Sequence, residues 1–233
     1  MKTQVVNLKR HWLDLDPRDE WYRQQCDDLD ERYIVDVTSR NKNFEFIKQI
    51  SPMYVGPVFT GEGYDAKIFE LFWQCSKVYP CHEFFGEPNE DYFAWRKKMF
   101  AMANCRKDIM RHPYKELGYK ASDCEFAVKY NIETHSYDKL NYIEARKQLY
   151  VAEFAKLIAY SKTMAYLQSL VDNGNKLALL NFDTTNFGDD VDIQKVLNDP
   201  NTKFGHGYVI KMLLDKTIYV ENGKIIDTQN LLS

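Results

Sequence analysis

The chain has 233 residues, 45% hydrophobic and 15% aromatic, enough for a full core in one large domain or in a domain with an extension. Lys and Arg number 31 and Asp and Glu 34, a net charge of −3 that excludes a large basic field for bulk capture of nucleic acid but not a local basic groove. No run approaches the ~18 apolar residues of a membrane helix, and MKTQVVNLKRHWLDLD lacks a signal-peptide core. The expectation is a cytoplasmic protein with no membrane partner.

Residues 1–32 are polar and charged, with Trp12, Trp21 and Tyr22 interspersed; they read as an N-terminal extension that docks through its tryptophans. Tyr33–Val37 is β-branched and reads as a strand. Asn43–Ile50 is a short helix or a loop. Ser51–Phe59 is extended and interrupted by two prolines and Gly56. The run Tyr64–Tyr79 reads as one largely buried helix, with Asp65 as its cap and Gly63 and Pro80 on either side.

After Pro80, CHEFFGEPNEDY reads as loop, and Asn89 caps a helix carrying Tyr92, Phe93, Trp95, Met99 and Phe100. Residues 105–136 are mixed. Tyr137–Asp172 holds the longest helical pattern, with a break expected near Tyr150, and it stops at Asn173-Gly174. Leu177–Phe182 reads as a strand and Tyr208–Leu214 as a short apolar helix. The chain closes with a hairpin turning at Asn222-Gly223, a strong two-residue turn signal. The order predicts an α+β fold: a helix-dominated single domain over 33–233 with a few short strands and a C-terminal β-hairpin.

Glu70, Gln74 and Lys77 fall at i, i+4 and i+7, so they share one face of the central helix. A carboxylate, an amide and an ammonium in line along an apolar helix must face a polar cavity, satisfy one another, or form a solvated stripe. His206, between two glycines, can reach a ligand that approaches the backbone, or bond locally. The five cysteines are scattered without a CxxC, which predicts reduced thiols and no zinc site. Asp189, Asp190 and Asp192 lack EF-hand spacing and read as a solvated loop. No dinucleotide fingerprint, P-loop or GxSxG occurs.

Several pieces resemble, in order, the NADAR (YbiA-like) family, whose members hydrolyse N-glycosidic bonds. Ser51-Pro-Met-Tyr54 looks like the family's opening motif. Gly61-Glu-Gly-Tyr64 looks like its Gly-x-x-Trp turn, with Tyr in place of Trp. Glu70, Trp73-Gln74 and Lys77 match its helix pattern without a gap. Arg146 and Lys147 stand where it has a basic helix. Phe187-Gly188-Asp189 resembles its Trp-Gly-Asp element, and Asn201 with Gly205 resembles its Asn-x-x-Gly, one residue out of register. The similarity covers roughly 39–215 and matches poorly over 81–136; residues 1–32 and the hairpin are left outside it.

The resemblance implies an N-glycosidase that removes ADP-ribose from a modified nucleobase such as guanine in DNA or RNA, in toxin reversal or phage counter-defence. It implies catalytic Glu70 and Lys77, and a substrate site of Tyr54, Trp73, Gln74, Phe187, Gly188, Asp189, Gly205 and His206. Glu70 would stabilise an oxocarbenium-like centre or activate water. Lys77 would bind a phosphate or ribose hydroxyl, or attack the opened sugar. Trp73 or Tyr54 would stack on the base, and Gly188 and Gly205 would let amides approach a phosphate. No metal or redox cofactor is required. Arg111, Lys115, Lys120 and Lys129 are candidates for a local groove. The alternatives are an N-glycosidase of a pyrimidine metabolite, a non-catalytic ADP-ribose- or NAD-binding module, and an interaction protein that uses residues 1–32.

Overall fold

The computed structural model describes residues 3–7, 31–104, 117–182, 184–185 and 191–233. In chain order the elements are β1 (Thr3–Asn7), β2 (Arg32–Asp36), α1 (Phe44–Ile47), α2 (Phe69–Cys75), β3 (Lys77–Val78), β4 (Glu83–Phe84), β5 (Glu87–Pro88) and α3 (Glu90–Phe100). Then come β6 (Phe126–Asn131), β7 (Ser136–Leu140), α4 (Tyr142–Ala145), a π-helical stretch Arg146–Val151, α5 (Ala152–Ile158), α6 (Lys162–Asp172), β8 (Lys176–Asn181), α7 (Ile193–Asn198), α8 (His206–Leu214), β9 (Ile218–Glu221) and β10 (Lys224–Asp227). Helices and strands are both well represented, as the α+β expectation requires. The chain forms two compact units, Met1–Ser51 with Phe154–Ser233, and Pro52–Glu153.

The first unit is built on a parallel sheet in the order β1-β8-β2. Its middle strand pairs Asn181 with Asn7 on one side and Leu180 with Asp36 on the other. Lys176-Leu-Ala-Leu-Leu-Asn181 can be a middle strand because its apolar run suits burial on both faces, and Leu177–Leu180 are buried. Helix α8 packs against β1, β8, α6 and β9, with Val209, Ile210, Met212 and Leu214 buried. The expected hairpin is present as β9–β10, and Asn222 and Gly223 both take positive φ at its turn.

This sheet revises the reading of residues 1–32 as an appended extension. Thr3–Asn7 is an integral strand, with Val5 and Val6 buried beside β8. Trp12, Trp21 and Tyr22 lie outside the described residues.

The second unit carries an antiparallel sheet in the order β3-β6-β7, with α2 and α3 packed on one another. Asn89 caps α3 as expected, accepting from the Tyr92 amide at 2.9 Å. The segment expected to be loop after Pro80 contains the small hairpin β4–β5. The expected Tyr137–Asp172 helix is also revised. Its first residues are strand β7, paired along β6. The helical hydrogen bonding passes through Tyr150 as a π-helix, and the chain is interrupted instead at 159–161, where Ser161 caps α6.

Candidate active site

The central helix is shorter than its apolar run. Helix α2 spans seven residues, Phe69–Cys75, and its N-cap Ile68 supplies no side-chain hydrogen bond. Asp65, expected as the cap, accepts instead from the Thr60 amide at 3.3 Å. Backbone carbonyls do the capping: Phe69 N–H donates to Val55 O at 2.8 Å and Glu70 N–H to Pro52 O at 2.9 Å. These bonds satisfy first-turn amides that a helix leaves without internal partners. Gly56 is needed for this approach, because a Cβ there would collide with the Lys67 carbonyl.

The helix ends because Lys77 and Val78 pair with Ala127 and Phe126 of β6. Lys77 therefore reaches the site from a strand, a revision of the expected single helical face. The three polar groups still meet. Gln74 Nε2 donates to Glu70 Oε1 at 2.9 Å, and Lys77 Nζ donates to Gln74 Oε1 at 2.9 Å. The amide thus links acid to amine, and all three residues are half-buried.

Burial pulls the Lys77 pKa below its ordinary value, against the opposing pull of Cys124 and Glu70. A neutral amine is therefore more accessible at Lys77 than on a surface lysine. Its ammonium lies 4.4 Å from the centroid of Trp73, within cation–π range. Trp73 is 9% exposed, with its ring meeting Tyr150 at 5.1 Å. It is therefore a wall of the site rather than the expected stacking platform for a base. Tyr54 is exposed, on the same turn whose Pro52 and Val55 carbonyls hold α2.

Tyr150 was not singled out in the sequence. Burial, and next the Glu70 charge, push its phenol well above its usual pKa, so it stays a proton donor in the field of that carboxylate. Its signal, a tyrosine four residues from Arg146 in an apolar helix, is indistinguishable from core packing. Arg146 and Lys147 are both buried, and Arg146 lies over the Tyr142 ring at 4.7 Å.

Sequence reasoning also missed a buried ion pair beside the site. Arg96 Nη2 donates to Glu62 Oε1 at 2.5 Å and Arg96 Nε to Glu62 Oε2 at 3.2 Å, with both side chains 1% exposed. Tyr137 adds a hydroxyl to Glu62 Oε2 at 3.0 Å. Arg96 Nη1 donates to the Cys75 carbonyl at 2.9 Å and to Ser76 Oγ at 3.1 Å. It thereby grips the two residues that separate Gln74 from Lys77.

Gly205 and His206 belong to the other unit, at the start of α8. Phe187, Gly188 and Asp189 lie outside the described residues, as do Arg111 and Lys115. Of the remaining groove candidates, Lys120 is exposed and Lys129 donates to Gln148 at 3.1 Å. A cavity of about 570 Å³ in the first unit is lined by Asp192, Lys211, Asp215, Thr217 and Asn230 among others, none of them an expected site residue. Among the described residues no helix is long and apolar enough to cross a membrane. No protein-family model matches the chain, and no curated protein or solved structure matches it.

Proposed function

We propose that this chain is an N-glycosidase of the kind its NADAR-like motifs suggest, hydrolysing a base–ribose bond with ADP-ribose on a nucleobase as the substrate. The observation that supports the reading is the Glu70–Gln74–Lys77 relay, half-buried and walled by Trp73 and Tyr150. Glu70 meets the positive charge that develops at the anomeric carbon, or takes a proton from the attacking water. Gln74 holds the carboxylate in place through its amide. Lys77 supplies a donor near the sugar. With its lowered pKa it is also suited to forming an imine with the opened ribose aldehyde, releasing water.

The test is incubation with ADP-ribosylated guanine and adenine in DNA, with thymidine-linked ADP-ribose and with NAD, with released sugar followed by mass spectrometry. Turnover that disappears in Glu70→Gln supports the assignment. Full activity in that variant refutes it. Borohydride reduction during turnover separates the two roles of Lys77, because only an imine is trapped as a stable adduct. Cleavage of the nucleic-acid substrates in preference to the metabolites would support the toxin-reversal or phage counter-defence role.

A second reading is a nucleotide-binding module without turnover. It is favoured by the mutual pairing of the relay, whose linking amide donates to one neighbour and accepts from the other. Binding of ADP-ribose in calorimetry, with no product after prolonged incubation, distinguishes it.

A further inference from the structure

The carboxyl end of the parallel sheet in the first unit has the construction of a ligand site. In open parallel sheets ligands bind outside the strands' carboxyl ends, where helix N-termini deliver amide donors. Here β8 ends at Asn181, and α8 begins beside it at His206. Glycines on both sides of His206 permit the contact. A Cβ on Gly205 would collide with Asn181 Nδ2, and one on Gly207 would lie 3.2 Å from Asn181 Cβ.

Two polar side chains there are buried, and among the described residues they have no partner. Asn181 is 0% exposed, and among the described residues neither its Nδ2 nor its Oδ1 has a hydrogen-bond partner. Thr184 Oγ1 is likewise buried without one. Such groups are rare in native proteins unless a ligand or water completes them. The amides of His206 and Gly207 have no acceptor within the helix by its geometry, and among the described residues no side chain caps them. Gly205 and His206 are themselves only half-buried, so the helix start can be reached.

The polarity of the groups narrows the ligand. His206 Nε2 lies 2.7 Å from the Val37 carbonyl, which can only accept. The proton is therefore on Nε2, and Nδ1 is a bare acceptor in the neutral ring, the form that burial favours by lowering the pKa to about 4. The site thus offers amide and hydroxyl donors together with the acceptor Asn181 Oδ1, and His206 carries its own acceptor on Nδ1. An anion alone uses only the donors. A phosphate carried on a sugar uses both, because its hydroxyls donate.

We propose that the carboxyl end of β8 and the first turn of α8 form a sugar-phosphate site, with Asn181, Thr184, His206 and Gly207 as its binding groups. This deepens the reading of Gly205 and His206 as ligand contacts and uses no step of the Glu70 chemistry. The 233-residue chain is titrated with ribose 5-phosphate, inorganic phosphate and ribose at constant ionic strength, by calorimetry and phosphorus NMR. Ribose 5-phosphate is expected to bind at least about tenfold more tightly than either fragment, the equivalent of about 1.4 kcal/mol.

Asn181→Leu then provides a readout that a structural role would not. The apolar side chain removes a buried unsatisfied amide, so the melting temperature rises by about 2–4 °C. Affinity for ribose 5-phosphate falls at least about tenfold in the same protein. Gly205→Ala also loses binding, by displacing Asn181. Undiminished affinity in Asn181→Leu overturns the proposal, as does no binding to the parent protein at millimolar ligand. Phosphate binding as tightly as ribose 5-phosphate overturns the sugar requirement. Turnover, expected to be lost in Glu70→Gln, and ribose 5-phosphate binding, expected to be lost in Asn181→Leu, are read in separate assays, so failure of the glycosidase reading and failure of this site give different results.

Discussion

Two carboxylate–cation arrangements in the second unit contrast. Glu62 and Arg96 are sealed, bidentate and supported by Tyr137. Glu70 and Lys77 are half-buried and are linked through the Gln74 amide. Taking two charges out of water is offset only when nearly every donor and acceptor is engaged, and the Glu62–Arg96 pair meets that condition. The relay is a half-buried carboxylate and an amine that burial makes less basic, linked by an amide. The sealed pair also serves the open one, because Arg96 holds the Cys75 carbonyl and the Ser76 hydroxyl that set the bend between Gln74 and Lys77. In this unit burial and completeness of hydrogen bonding separate the charge that holds geometry from the one on which the proposed chemistry rests.

The comparison breaks first at Arg96. Arg96→Met leaves the Glu62 carboxylate buried and uncompensated, and is expected to lower stability by about 3–5 kcal/mol in urea unfolding. A loss below about 1 kcal/mol, the range of exposed pairs, would mean that the pair is not the lock described. Glu70→Gln is expected to do the reverse. Turnover should fall by about 10²–10⁴-fold, with stability changed by less than about 1 kcal/mol.

Lys77→Met sharpens the contrast through pH. Burial lowers the Lys77 pKa in the folded state, so between that value and the ordinary 10.5 the unfolded chain binds more protons. The lysine's contribution to stability therefore rises with pH across that window and is least favourable below it. The melting-temperature difference between Lys77→Met and the parent should favour the variant most at neutral pH and shrink toward pH 10. A difference that stays flat would show that the amine is not desolvated. The smallest effect is expected at Lys139–Glu87, whose side chains are 44% and 65% exposed. Glu87→Gln there should cost no more than about 0.5 kcal/mol and should vanish in high salt.

Local chemistry made much of this molecule legible. Asn89 read as a helix cap because its side chain reaches the Tyr92 amide without help from distant residues. The Asn222-Gly223 hairpin and the β8 run were legible for the same reason, since positive-φ residues and a β-branched or aliphatic run act over short spans. The Glu70, Gln74 and Lys77 spacing pointed to one cluster, and the structure brings the three together.

The geometry of that cluster was not legible, because a seven-residue helix and a strand satisfy the same spacing that a longer helix would. Strand β1 was invisible for a different reason. Thr3–Asn7 is too short to announce itself and becomes a strand only by pairing with Leu177–Asn181, far along the chain. Arg96 and Glu62 resemble surface charges until α3 is packed on α2. The sequence by itself determined which segments could be helix or strand, where several turns fall, and which three polar residues belong together. Only the tertiary structure decided where α2 stops, which charges are sealed and which polar groups of β8 are left without partners, since burial and pairing depend on neighbours that spacing along the chain does not specify.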